Sequence, residues 1–389
     1  MRSRTQSEKR MRAWISASQR LHLAMAGELA VDLGTANTRV YAVGRGVVLN
    51  EPSVIAFNKS QGRVVAVGRQ AKMMIGREPS SIRVVCPLRD GVIADFDAAE
   101  KMLSHFIRRA RTKRAILGPR VLLCVPSKIS HVAHRAVEDA AYLAGASQVS
   151  FVAEPFAAAV GVGLDVWAAH AAMIVNVGGG TVNIAVLSLG GLIHTSTLRV
   201  GGTEIDEAIA QYLHQERGLA VGKQTAEAIK HWLGSADCEA DGCMFEVGGQ
   251  SLTTRLPSRV EVSSAEVQAA IEPLVQKIMR SVRESLEELP PEVAADLIES
   301  GMVLTGGGAQ LLGLTERLGR ESGLEVRLVA NPECAVVVGA GLLLRPDVPV
   351  PELLPEAKLP APDVLAPDLG FAEAPNNSSS SGLLAAPHA

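Results

Sequence analysis

Two related α/β lobes are the fold that these 389 residues predict. Three observations lead there. The chain is longer than one ordinary core of about 100 to 200 residues. Short β-branched runs alternate with helical stretches, the mark of layered α/β domains. A strand, a glycine-containing turn and a second strand occur twice, as LAVDLGTANTRVYA over Leu29–Ala42 and as MIVNVGGGTVNIAVL over Met173–Leu187, at an offset of 144 residues. A duplicated lobe is the economical explanation.

In chain order the first unit reads as extended runs over Leu29–Val43, Val47–Phe57 and Val64–Val67, then a helix over Asp97–Arg111. A strand at Arg120–Val125, a helix at His131–Ala144, a strand at Val149–Ala153 and a helix opened by Pro155 complete it. The second unit continues from Met173–Leu187 through a strand at Leu192–Val200 into a helix around Ile205–Gln215. Hydrophobic residues make up 47% and aromatic ones 3%, so the core has to be aliphatic. The net charge of −3 gives no global attraction to nucleic acid, and none is expected as a partner.

Five scattered cysteines suit a reducing compartment, and Cys238 with Cys243 lacks the second pair a zinc site needs. The N-terminus has no continuous apolar core of a secretory signal, and no run of about 18 apolar residues suggests a spanning helix. A cytoplasmic protein is expected. Residues 1–27 form a basic extension in which Met11, Trp14, Ile15, Leu21 and Met25 approximate the spacing of an interfacial amphipathic helix. Residues 346–389 hold 9 of the 20 prolines and are expected to be a disordered or extended tail, with Leu353, Leu354, Leu365 and Leu369 as possible partner contacts.

Four segments carry the chemistry. Asp32-Leu33-Gly34-Thr35-Ala36-Asn37-Thr38 is a tight turn in which Gly34 lets the backbone approach an anion, and Asp32 is suited to organise a hydrated Mg²⁺. Gly178-Gly179-Gly180-Thr181 is a second such turn, and two facing hairpins would clamp a triphosphate. Gly306-Gly307-Gly308-Ala309-Gln310-Leu311 follows a strand at Met302–Leu304 and is expected to open a helix against a nucleotide. On Thr225–Lys230, Glu227 and Lys230 share a helical face and would receive ribose and adenine. Each segment alone also fits an ordinary turn or a surface ion pair; together they point to a nucleotide cleft. Walker and Rossmann patterns are absent.

In the order VDLGTANTRVY, GVVLNEPSVIAF, RVLLCVPS, AEPFAAAVGVGL, GGGT, VGGTEIDEAI, TAEAIKHWLGSA and GMVLTGGGAQLLGL, the chain resembles the MreB/Mbl family of bacterial actin-like, rod shape-determining proteins from Leu29 to about Leu344. The resemblance implies an actin-like, duplicated ribonuclease H-like fold with smaller subdomains. It places the first lobe at 28–160, the second at 161–325 and a return to the first at 326–345. ATP and Mg²⁺ are the implied cofactors. Thr35, Ala36 and Asn37 would form the first phosphate loop beside Asp32 and Gly34, and Gly178, Gly179, Gly180 and Thr181 the second. Glu227, Ala228, Ile229 and Lys230, with Gly307, Gly308, Ala309, Gln310 and Leu311, would form the nucleoside pocket. Glu154 would position the attacking water with help from Thr181, and Asp32 and Asn176 would hold the metal through water.

Two positions depart from the family pattern. Asn176 stands where an Asp is usual, and Asn183 replaces a second acid, which implies weak metal binding and slow hydrolysis. The resemblance further implies self-assembly into filaments at the inner face of the cytoplasmic membrane, with the cell-wall synthesis machinery and related actin-like paralogues as partners. The membrane would be met by residues 11–25 or by Met102, Leu103, Phe106 and Ile107, followed by Arg108, Arg109, Arg111, Lys113 and Arg114. A monomeric nucleotide-dependent regulator or a small-molecule kinase of the same superfamily is the alternative.

Overall fold

The computed structural model describes residues 27–111, 117–237 and 242–345. The expected amphipathic extension, the proline-rich tail, Lys113, Arg114 and Cys238 lie outside the described residues.

The first lobe is built on β1 (Glu28–Leu33), β2 (Asn37–Ala42) and β3 (Gly46–Pro52). A smaller unit follows, with β4 (Ile55–Asn58), β5 (Val64–Val67), α1 (Arg69–Lys72), β6 (Ile82–Val85) and the hairpin β7 (Leu88–Arg89) and β8 (Val92–Ile93). Then come α2 (Phe96–Ala110), β9 (Arg120–Val125), α3 (His131–Leu143), β10 (Gln148–Ala153) and α4 (Glu154–Gly161). The second lobe holds β11 (Ala172–Val177), β12 (Val182–Ser188), β13 (Gly191–Leu198), α5 (Gly202–Glu216), β14 (Leu219–Ala220), α6 (Lys223–Leu233), β15 (Met244–Ser251) and β16 (Pro257–Ser263). It continues with α7 (Ser264–Glu287), α8 (Pro291–Ser300), β17 (Met302–Thr305), α9 (Leu314–Ser322) and β18 (Val326–Leu328), and α10 (Ala335–Leu343) follows it.

The repeat seen in the sequence is a repeat of topology. One five-stranded sheet runs β10-β9-β1-β2-β3 and the other β18-β17-β11-β12-β13, each an antiparallel meander extended by two parallel strands. The sheet extends through Leu328, so residues 326–328, expected in the returning segment, pair with the second lobe. The chain returns through α10 alone, which packs on α4, β1 and β2.

Strand alternation decides which side chains face the cleft. Leu29, Val31 and Leu33 point into a core with Met102, Phe106 and Ile107 of α2, whereas Ala30 joins the central layer formed by α4 and α10. Asp32, two residues on, shares the Ala30 face. In β11, Met173, Val175 and Val177 enter the second core and Ile174 the central layer, so Asn176 also faces inward.

The central layer depends on small residues. A Cβ at Gly339 would lie 1.7 Å from the Ala157 carbonyl oxygen, and one at Gly161 would lie 2.0 Å from that of Ala335. Glycines at both positions therefore let α4 and α10 cross at backbone contact.

Helix α2 settles one expectation. Its N-cap Asp95 accepts a hydrogen bond from the Ala98 amide, and Met102, Leu103, Phe106 and Ile107 follow at core spacing. All four are buried to within 1% of full burial, worth about 1.5–3 kcal/mol each relative to exposure. This apolar face fills the first lobe and is not available to a membrane. Behind it, Arg109 pairs with Glu51 at 2.9 Å and Arg111 donates to the Leu117 carbonyl.

Candidate nucleotide cleft

The two glycine turns meet across a cleft of about 650 Å³, a size typical of small-molecule sites. Their contact is close: a Cβ on Gly179 would sit 2.5 Å from that of Ala36, and one on Gly180 would sit 2.9 Å from Thr35 Oγ1. Only glycine lets the second turn approach the first this far.

Each turn is held from behind. Ser53 Oγ donates to the Gly34 carbonyl at 2.6 Å and its amide donates to that of Ala36, while the Gly91 amide donates to Thr35 Oγ1 at 3.0 Å. On the other side, the first turn of α5 donates from Gly202 and Thr203 to the carbonyls of Gly178 and Gly179. Rigid turns present backbone donors without reorganisation.

Most residues expected from the sequence line this one cleft: Asp32, Gly34, Thr35, Ala36, Asn37, Glu154, Asn176, Gly178, Gly179, Gly180, Thr181, Glu227, Lys230, Gly307, Gly308, Gln310 and Leu311. Three do not. Ile229 and Ala309 are buried in the second core, and Ala228 lies off the wall. On a helix, positions 227, 230 and 231 share a face, so the two between them turn away.

The third glycine segment corrects another expectation. Gly307–Gln310 form a 3₁₀ turn and α9 begins only at Leu314, so the glycines do not present a helix N-terminus. Gly306 adopts φ +88°, where a Cβ would strike the Val177 carbonyl oxygen at 2.2 Å. The segment hugs β11 and forms the cleft floor.

The end expected to receive the nucleoside is bridged by charge. Glu227 reaches Lys72 of the first lobe at 2.6 Å, and Lys230 reaches Asp206 at 2.7 Å while donating to the Gly202 carbonyl. Burial raises the Asp206 carboxyl, with Lys230 opposing the rise.

The end expected to hold the phosphates is lined by Asp32, Glu154 and Asn176, with Asn183 bonded to Glu154, and also by Arg39, which sequence reasoning missed. Arg39 stands directly opposite Asp32 in the β1–β2 ladder, with Nη1 3.4 Å from Asp32 Oδ2. At an offset of 144 residues, Asn176 and Asn183 stand opposite each other in β11–β12. The signal was therefore present: applied residue by residue, the repeat pairs Arg39 with the recognised Asn183.

Glu154 opens α4, accepts a hydrogen bond from Asn183 Nδ2 at 2.9 Å, and has its pKa raised to about 8 by burial first and the Asp32 charge second. Asn183 is itself oriented by Thr197, which donates to Oδ1, and its amide lies 3.4 Å from Thr181 Oγ1. Burial raises the Asp32 carboxyl as well, while the charge and hydrogen bond of Arg39 oppose the rise.

The Mg²⁺ implied by the resemblance does not fit these donors. A site of this kind needs one or two carboxylates free to hold metal-bound water. Asp32 faces a guanidinium, Glu154 is engaged by Asn183, and Asn176 Oδ1 accepts from Thr305 at 3.4 Å. A divalent and a monovalent cation about 6 Å apart would repel by roughly 5 kcal/mol at an effective dielectric constant of about 20. Among the described residues no group of three or more His, Cys, Asp or Glu could hold a metal ion.

The family model described as MreB/Mbl protein matches residues 26–347. The chain belongs to the MreB/Mbl family. It is 43% identical over 325 residues to the cell shape-determining protein MreB of Escherichia coli strain K12, covering 82% of this chain and 94% of that protein. Its identity to the cell shape-determining protein Mbl of Bacillus subtilis strain 168 is 39% over 319 residues, covering 82% and 96%. The crystal structure of MreB5 of Spiroplasma citri bound to ADP superposes with a TM-score of 0.78 at 31% identity, covering 82% and 97%. The MamK double helical filament gives 0.70 at 26%, covering 82% and 98%. The lobes described above are thus those of an actin-like MreB/Mbl fold, and the cleft is the one between its two halves.

Proposed function

We propose that this chain is a nucleotide-dependent filament subunit that binds ATP between its lobes, assembles on the inner face of the cytoplasmic membrane and organises cell-wall synthesis. The observation that carries the reading is the contact of the two glycine turns across the cleft, with backbone donors fixed from behind on both sides. MreB5 of Spiroplasma citri has been crystallised bound to ADP and bound to AMPPNP, which supports nucleotide binding by this chain. The filament of MamK supports self-association, and the cell shape-determining names of the bacterial relatives support the cellular role.

Hydrolysis is expected to be slow. Glu154 is the residue the family resemblance assigns to orient the attacking water, yet its pKa of about 8 leaves it largely protonated at neutral pH and an amide occupies one of its oxygens. Nucleotide would thus act mainly by holding the lobes together. Among the described residues no helix is long and apolar enough to cross a membrane. With Met102, Leu103, Phe106 and Ile107 of α2 buried in the first lobe, contact is assigned to the basic extension of residues 1–27. The remaining partners are the cell-wall synthesis machinery and related actin-like paralogues.

Sedimentation of the full-length chain with ATP, ADP or no nucleotide, with and without anionic liposomes, tests this. Pelleting that requires nucleotide and increases with liposomes is expected. No pelleting under any condition would replace the filament with a monomeric nucleotide-dependent regulator.

A further inference from the structure

We propose that Arg39 takes the place of a divalent cation, so that the cleft binds a nucleoside di- or triphosphate free of metal, with the guanidinium bridging Asp32 and the phosphate oxygens. The inference rests on the nucleotide reading above and names the ionic form of the ligand.

Arg39 lines the cleft, and its side chain is 12% exposed against 9% for Asp32. Its Nε is buried and makes no hydrogen bond. The contact to Asp32 is long for a charge-assisted bond, and Cys334 is the other side chain it reaches. A guanidinium carries five N–H donors and remains charged when buried, so donors are left to face an anion. Of the two Lys or Arg side chains lining the cleft among the described residues, Lys230 is already held by Asp206 and the Gly202 carbonyl. Arg39 is the one at the phosphate end.

The repeat sharpens the point. The two inward-facing cross-strand pairs are Asp32 with Arg39 and Asn176 with Asn183. One pair is neutral by compensation and the other by composition, so neither hairpin offers the net negative charge that attracts a hydrated divalent ion. A phosphate chain still requires a cation, and Arg39 supplies it from the protein.

The test is equilibrium binding of a fluorescent ATP analogue and of ADP to the full-length chain, in excess EDTA and in excess MgCl₂. Affinity in EDTA within about threefold of that in MgCl₂ is expected, less than one decade of the binding constant. Arg39→Leu should lose about tenfold or more in EDTA, and Arg39→Lys should keep part of the binding. In the Arg39→Leu background, Asn176→Asp should make binding depend on MgCl₂. Wild-type binding that requires MgCl₂ overturns the proposal and leaves the nucleotide reading standing. Absence of binding in both buffers overturns that reading itself. The wild-type comparison decides the proposal even if Arg39→Leu fails to fold.

Discussion

Arg39 and Asp32 lie directly across the β1–β2 ladder with Nη1 and Oδ2 3.4 Å apart, at the very offset that places Asn176 opposite Asn183 in the second lobe. A charged pair in one hairpin therefore answers an amide pair in the other. Removing Arg39 leaves a buried carboxyl without its cation, which costs more than an exposed pair would. Arg39→Leu is expected to lower stability by about 1–3 kcal/mol, and Asp32→Asn in the same chain to restore most of it. Denaturant titrations of both variants check this; an additive double mutant would separate the two residues.

Glu154 sets a pH dependence. Its pKa is about 8 in the folded protein against an ordinary 4.5, so the folded state binds the extra proton. Its contribution to stability is fully present below about pH 4.5 and is lost as pH rises through about 8. Glu154→Gln removes that loss. The melting temperature of the variant relative to wild type should climb between pH 5 and 8 and level off above, and a difference constant with pH would contradict the assigned shift.

The crossing of α4 and α10 predicts a sharp asymmetry among glycines. Gly339→Ala puts a methyl group 1.7 Å from the Ala157 carbonyl and should cost about 3 kcal/mol or more, or prevent soluble expression. Gly307→Ala meets nothing nearer than 3.9 Å and should be close to neutral. Thermal melts of the two variants decide.

Lys72 and Glu227 bridge the lobes while each stays about a third exposed. Such a pair contributes about 1 kcal/mol at most. Lys72→Ala should change the melting temperature little while releasing bound nucleotide faster, because Glu227 loses its anchor to the first lobe. Stopped-flow displacement of a fluorescent nucleotide measures the rate; an unchanged rate would deny the bridge a role in retention.

Deleting residues 2–26 should lower binding to anionic liposomes with little change in nucleotide affinity. Vesicle flotation gives the answer, and undiminished flotation would move the membrane contact elsewhere.

Much of the fold was legible because glycine turns and β-branched runs carry local physics. The hairpins of Leu29–Ala42 and Met173–Leu187 can be paired from sequence, since alternation fixes which residues of each strand share a face. The helical register of α6 was only partly read, so Ala228 and Ile229 were grouped with Glu227 although they turn away from the cleft. The apolar stripe of α2 fits a core and a membrane equally well in sequence, and only tertiary packing distinguishes them. Arg39 carries no signal in the motif that contains it, because its surroundings are set by Asp32 opposite it in the ladder.

The most direct measurement is calorimetric titration of ATP into the wild-type chain and into Gly307→Phe, a substitution whose Cβ meets only Glu333 Cβ at 3.9 Å and whose ring is meant to fill the cleft that Gly307 lines. Saturable single-site binding by the wild type, lost in a variant that keeps its melting temperature, is the predicted result. Equal binding by both proteins, or none by the wild type, would contradict a nucleotide seated between the two glycine turns.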